Sequence, residues 1–135
     1  DESIRKYLAG DLTRIKEVAD IAIIKWAPTG GISAALEVIE KIDLPVVISS
    51  ALDSSVGISH GLSLAAAVPN LYGACGLGTV SLLEGDVTSN SLIPINGIIS
   101  NRKVTPDRIE EFKAEPSRQK WWQDRANAIY EGGLF

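Results

Sequence analysis

The stretch Ile21–Gly31 reads I-A-I-I-K-W-A-P-T-G-G, and its reading decides the fold. Ile21 to Lys25 have strand-forming character, and side chains on a strand alternate faces. Ile21, Ile23 and Lys25 therefore share one side, while Ala22, Ile24 and Trp26 take the other. Pro28-Thr29-Gly30-Gly31 is a turn from which a helix is launched. A lysine that closes an apolar row, where strand gives way to turn, stands where parallel α/β sheets keep their chemistry. The plainer alternative is a lysine that extends its ammonium to water from a strand end.

Working outward, Asp11 is placed as the N-cap of a helix over Leu12 to Ala19, with Leu12, Ile15 and Ala19 on one face. Beyond the glycines, Ile32, Ala35, Leu36, Ile39 and Ile42 form the apolar stripe of an amphipathic helix, and Glu37, Glu40 and Lys41 its wet side. Asp43-Leu44-Pro45 ends that helix. Val46-Val47-Ile48-Ser49 has the continuous apolar character of a strand buried on both faces. Ser54 or Ser55 caps the next helix, which runs to about Val68 with Ile58, Leu62 and Ala66 in register. Its alanines and glycines allow close approach to a sheet. Leu71 to Cys75 is a weaker strand leading into Gly76-Leu77-Gly78-Thr79.

Strands alternating with helices imply βα units and a parallel sheet. The spacing adds to this: 24 positions separate Asp1 from Lys25 and Lys25 from Ser49, and 27 separate Ser49 from Gly76. A polar residue or glycine thus recurs at successive strand ends, as a (β/α)₈ barrel places its site residues at one mouth. Such a barrel takes about 250 residues; this chain of 135 has enough for three or four units. Residues 1–85 are read as these βα units, and residues 86–135 as an extension of loop plus two helices. One of those helices starts at Thr105-Pro106, and the last runs from about Ser117 to Tyr130. On that last helix Trp122, Ala126 and Ile129 form a packing stripe.

Composition narrows the function. With a net charge of −4 and 45% hydrophobic residues, the chain has no nucleic-acid footprint, which needs clustered positive charge. No apolar run approaches the roughly 18 residues of a membrane span, and the N-terminus is no signal peptide. The single cysteine, Cys75, has no partner for an internal disulfide, so a reducing cytoplasm is expected. The single histidine, His60, excludes His-pair zinc sites built from this chain alone and is expected at the surface or in packing. A start at Asp-Glu-Ser without Met reads as a piece of a longer polypeptide.

Lys25 and Asp1 are the first candidates for chemistry. At neighbouring strand ends they stand side by side; the carboxylate suits Mg²⁺ as a hard oxygen ligand, and the lysine suits proton transfer at carbon. A structural ion pair is the alternative. Glu2, next to Asp1, suits either the metal's surroundings or open solvent. Ser49-Ser50 can bind a carboxylate or serve as a cap. The glycines of Gly76-Leu77-Gly78-Thr79 can present N–H groups to an anion or simply turn the chain. Cys75 reads as a small buried apolar side chain.

Five pieces in this order carry a resemblance. They are Asp1-Glu2-Ser3; Lys25 with Pro28-Thr29-Gly30-Gly31; the run S-S-A-L-D-S-S-V-G of residues 49–57 behind Val46-Val47-Ile48; A-C-G-L-G-T of residues 74–79; and W-W-x-D-R at residues 121–125. Together they resemble the C-terminal half of a barrel from the enolase superfamily, in its muconate-lactonizing subgroup, and most of all an actinobacterial carbon–oxygen lyase of menaquinone biosynthesis. The fold so implied is α/β, the C-terminal part of a TIM-type (β/α) barrel with a helical C-terminal tail.

The resemblance implies that Asp1, ending the fifth strand, is the last of three carboxylate ligands for Mg²⁺. It implies that Lys25 ends the sixth strand and stabilises an enediolate, across the substrate from a second-strand lysine base. Ser49 and Gly76, ending the seventh and eighth strands, are implied to hold the substrate's succinyl carboxylate. The reaction implied is syn-elimination of water from 2-succinyl-6-hydroxy-2,4-cyclohexadiene-1-carboxylate. Cys75, Gly76 and Gly78 stand where cycloisomerases and dehydratases of the superfamily often carry an acid, which disfavours those activities. N-acylamino acid racemase or dipeptide epimerase is the sister expectation. From another class comes a non-catalytic half barrel that binds a partner or self-associates. The other metal ligands, the second lysine and the capping domain are expected on sequence outside this chain, so the chain alone is expected to be inactive.

Overall fold

The computed structural model describes residues 3–4 and 10–132. Its centre is a parallel pair, β1 (Ala22–Lys25) and β2 (Val46–Ser49), in the register Ala22↔Val46, Ile23↔Val47, Ile24↔Ile48 and Lys25↔Ser49. Period-two alternation is plain in both strands. Ala22, Ile24, Val46 and Ile48 are buried, whereas Ile23, Lys25, Val47 and Ser49 are half-buried. The expectation that β2 is covered on both faces is therefore corrected: among the described residues only one face of the sheet is fully packed. Nor does any described residue pair with the outer edge of β1.

The covered face packs on two crossover helices. A single helical turn, α1 (Trp26–Thr29), leads through Gly30 and Gly31 into α2 (Ile32–Ile42). Both glycines lie at positive φ, +103° and +112°, a conformation in which any Cβ would be strained, so the Gly-Gly pair is what the turn requires. α2 buries Ala35, Val38, Ile39 and Ile42, a run of three- and four-residue steps along one face. Leu36, expected in this stripe, lies outside it at 36% exposure, and Val38 takes its place. The helix ends at Asp43 in the left-handed region, where the carboxylate accepts a hydrogen bond from Lys16 Nζ at 2.8 Å.

After β2 comes α3 (Ser55–Ala67), which buries Ser55, Ile58, Gly61 and Leu64. Leu62 packs against the core, whereas Ala66 is exposed. A Cβ on Gly61 would lie 2.7 Å from Leu77 Cδ2, so the small residue does permit close approach here. The segment Leu12–Glu17 is a 3-10 helix rather than the expected α-helix; Asp11 caps it by accepting from Thr13 N at 3.0 Å. Only Leu12 and Ile15 need cover, and residues three apart eclipse one another in 3-10 geometry.

The third strand is reduced to its two ends. Leu71 bridges Val46 and Gly76 bridges Ser49, both in parallel sense. More residues separate Leu71 from Gly76 than separate their partners on β2, and the excess is thrown into a bend with Gly73 at φ +68°. Farther on, Asn96-Gly97 makes a tight turn, with Ile95 and Ile98 exchanging backbone hydrogen bonds of 2.9 and 3.0 Å. From Thr105 the chain forms turns, not a helix; Ser89 N and Oγ tie it down by donating to Asp107 at 2.8 and 2.6 Å. The final helix, α4 (Pro116–Gly132), buries none of its side chains. The expected stripe of Trp122, Ala126 and Ile129 is thus not packed within the described chain. Trp121 and Trp122 instead meet edge to face at 4.7 Å, with the Arg118 guanidinium 4.6 Å from the Trp121 ring centre. Among the described residues no helix is long and apolar enough to cross a membrane.

Candidate active site

Three of the four expected site residues fall into one row. Lys25 and Ser49 are register partners at the ends of β1 and β2, and Ser49 bridges Gly76 on its other side. Neighbouring strands stand about 4.8 Å apart, so the row spans three adjacent parallel segments at their C-terminal ends. Lys25 and Ser49 lie on the half-open face, because each follows by two residues a half-buried neighbour, Ile23 or Val47. The fourth residue, Asp1, lies outside the described residues, as does Glu2.

Gly76 is where the row is tightest. Its N–H donates to Ile48 O at 2.8 Å, and its carbonyl accepts from Ser50 N at 3.1 Å. The amide expected to serve an anion is therefore already engaged in the sheet, so what Gly76 offers is space. A Cβ there would lie 2.8 Å from Ser49 Oγ. The Ser49 hydroxyl reaches Gly76 O at only 3.4 Å, a long contact that leaves it able to turn toward an anionic ligand.

Behind the row, buried Ser50 shares a hydrogen bond of 2.7 Å with Thr79 Oγ1. Ala51 N donates to Asp53 Oδ2 at 3.1 Å. On the Lys25 side, Thr29 Oγ1 donates to Lys25 O at 2.8 Å. Trp26 Nε1 donates to Gly57 O at 3.1 Å, and the Trp26 ring meets that of His60 at 5.0 Å. These contacts tie the β1–α1 junction to α3. They also give exposed His60 the packing role expected of it. Cys75 is half-buried against the core as a free thiol.

One acidic residue that the sequence reading passed over is central here. Asp86 is 5% exposed and fully buried Ser55 is its partner. Ser55 N donates to Asp86 Oδ1 at 3.1 Å, the Ser55 hydroxyl donates to Asp86 Oδ2, and Val87 N donates to Oδ1 at 2.9 Å. Ser55 Oγ in turn accepts from Leu92 N at 2.7 Å. The partners stand 31 residues apart, so no local pattern could have announced them. Burial alone would push the Asp86 carboxyl up. The hydrogen bonds from Ser55, Ser91 and Val87 outweigh it and hold the group below the ordinary 3.8. A carboxyl lowered on folding stabilises the fold fully above its unfolded pKa, and that contribution is lost as pH falls through the folded value. Acid unfolding followed by circular dichroism should show this loss below about pH 4, and Asp86→Asn should remove that part of the pH dependence.

Among the described residues no three of His, Cys, Asp and Glu converge on a point that could hold a metal ion. The described part therefore does not by itself fit a metal centre.

No protein-family model matches the chain. It is 49% identical over 132 residues to proteins of Mycobacterium tuberculosis and Mycobacterium bovis named o-succinylbenzoate synthase. To a protein of the same name from Mycobacterium ulcerans it is 48% identical over 134 residues. These matches take in 96% of this chain and 40% of each relative. The chain thus spans well under half the length of the curated relatives it matches.

Proposed function

We propose, from the premise that this chain is homologous to the o-succinylbenzoate synthases, that it supplies the last strands of an enolase-superfamily (β/α) barrel. The protein carrying it would dehydrate 2-succinyl-6-hydroxy-2,4-cyclohexadiene-1-carboxylate to o-succinylbenzoate. The observation that carries this reading is the row Lys25–Ser49–Gly76 at the ends of three adjacent parallel segments, on a face the described residues leave half open. In a closed barrel that face is the interior, and the strand ends form the mouth. Residues 1–85 then furnish the βα units, and residues 86–135 an extension wrapped outside them. The remaining strands and a capping domain are the partners that cover the open face and the free edge of β1.

The residues divide the work by their chemistry. A base outside this chain removes the proton from the carbon next to the substrate carboxylate. The electron pair enters an enediolate, the neighbouring C–O bond breaks as the protonated base returns its proton to the hydroxyl, which departs as water, and the ring becomes aromatic. The Lys25 ammonium stands where negative charge grows on the carboxylate oxygens; a fixed cation stabilises that charge more in the transition state than in the substrate. The Ser49 hydroxyl donates to the succinyl carboxylate, for which bare Gly76 leaves room. Mg²⁺ is the proposed cofactor, with Asp1 as one carboxylate ligand and the rest of its donors on residues beyond this chain.

The full-length protein supplied with Mg²⁺ and the cyclohexadiene substrate should form the aromatic product, followed by ultraviolet absorbance. Failure to dehydrate it, together with rapid racemisation of N-acylamino acids, would assign the sister activity instead.

A further inference from the structure

We propose that Asp86 is a positioning residue for the substrate-binding pair Ser49 and Gly76, an inference that rests on the function proposed above. Each member of the pair is followed by a loop, residues 50–54 after Ser49 and residues 77–85 after Gly76. The loops are tied together twice. Near the rim, Ser50 Oγ and Thr79 Oγ1 share a hydrogen bond of 2.7 Å. Farther back, Asp86 closes the second loop onto Ser55, the first residue of α3.

The second tie replaces a local one. Ser54 occupies the N-cap of α3, but its side chain makes no capping hydrogen bond. The start of the helix is held instead by a carboxylate 31 residues away, where negative charge also suits the positive end of the helix dipole. Ser55 Oγ passes the connection on to Leu92 N. Two residues later Pro94 packs against Gly78, its Cγ 3.3 Å from where a Cβ of Gly78 would be. One buried carboxylate thus ties the end of the loop after Gly76 to the start of the helix that follows the loop after Ser49.

Asparagine is nearly the same size and keeps one acceptor oxygen. Its amide, however, would turn a donor toward Ser55 Oγ, and the Ser55 O–H would lose the acceptor it has in Asp86 Oδ2. In full-length enzyme, Asp86→Asn should raise the KM for the cyclohexadiene substrate roughly tenfold while kcat stays within about twofold. Ser55→Ala, which keeps the bond from Ser55 N to Oδ1, should give a smaller rise of the same kind. Amide hydrogen exchange in residues 50–54 and 77–79 should quicken in both variants while that of β1 is unchanged.

A folded Asp86→Asn enzyme with wild-type KM and unaltered exchange in the two loops would overturn the proposal. So would unfolding of both variants, which would leave Asp86 with a structural role alone. If wild-type enzyme shows no synthase turnover, the proposed function falls, and the exchange experiment still decides whether Asp86 couples the loops.

Discussion

Replacing Lys25 by alanine in the full-length enzyme is expected to cut kcat for o-succinylbenzoate formation by about a thousandfold or more, with KM changed far less. Removing one preorganised donor from an oxyanion site costs about 10² to 10³ in rate, and here a full positive charge goes with it. The lysine is well placed to be preorganised. It ends β1 in extended conformation, its carbonyl accepts from Thr29 Oγ1, and Trp26 beside it is anchored on Gly57 and His60. Lys25→Arg should restore little of the rate. It keeps the charge, but the planar guanidinium is longer and directs its donors differently from an ammonium. Steady-state kinetics with each variant would check this, and turnover within a few-fold of wild type for Lys25→Ala would remove the residue from the mechanism.

Gly76→Val should act on binding. The added Cβ would lie 2.8 Å from Ser49 Oγ and 3.4 Å from Ser49 Cβ, so Ser49 must shift or turn away. Gly76 is not among the glycines at positive φ, so the backbone tolerates a side chain and the effect is steric. Overpacking of this kind costs about 1–3 kcal/mol, which as lost substrate binding is roughly a 5- to 150-fold rise in KM. Gly73→Ala is the matching control. At φ +68°, with no atom within 4 Å of its new Cβ, it should lower thermal stability by about 1 kcal/mol and leave KM alone. Equal effects of the two substitutions on KM would sink the assignment of Gly76 to the substrate's carboxylate.

The order of strands and helices was legible in the sequence because its signals are local. Alternation along Ala22–Lys25, the Gly-Gly turn and the Asp11 cap each depend on residues a few positions apart, and all three are present in the structure. Misreadings came where burial depended on something distant. Leu36 satisfied the helical period yet faces outward, since the period defines a broad stripe and the neighbouring layer selects its centre. Val46–Ser49 read as a strand covered twice, although the described residues cover it fully on one face only. Trp122, Ala126 and Ile129 of α4 read as a packing stripe, but the described chain buries none of them. In each case the composition records the need for cover without naming the element that provides it.

By itself the amino-acid sequence determined which residues stand at strand ends and which turns demand glycine, because backbone sterics and side-chain alternation act over two to four residues. The tertiary structure alone decided the register that pairs Lys25 with Ser49, that the Gly76 amide is taken up by the sheet, and that Asp86 secures the start of a helix 31 residues away. Those facts depend on strand register and on the packing of segments far apart in the chain. Such contacts form only when the whole hydrophobic layer closes, and no short-range periodicity encodes them.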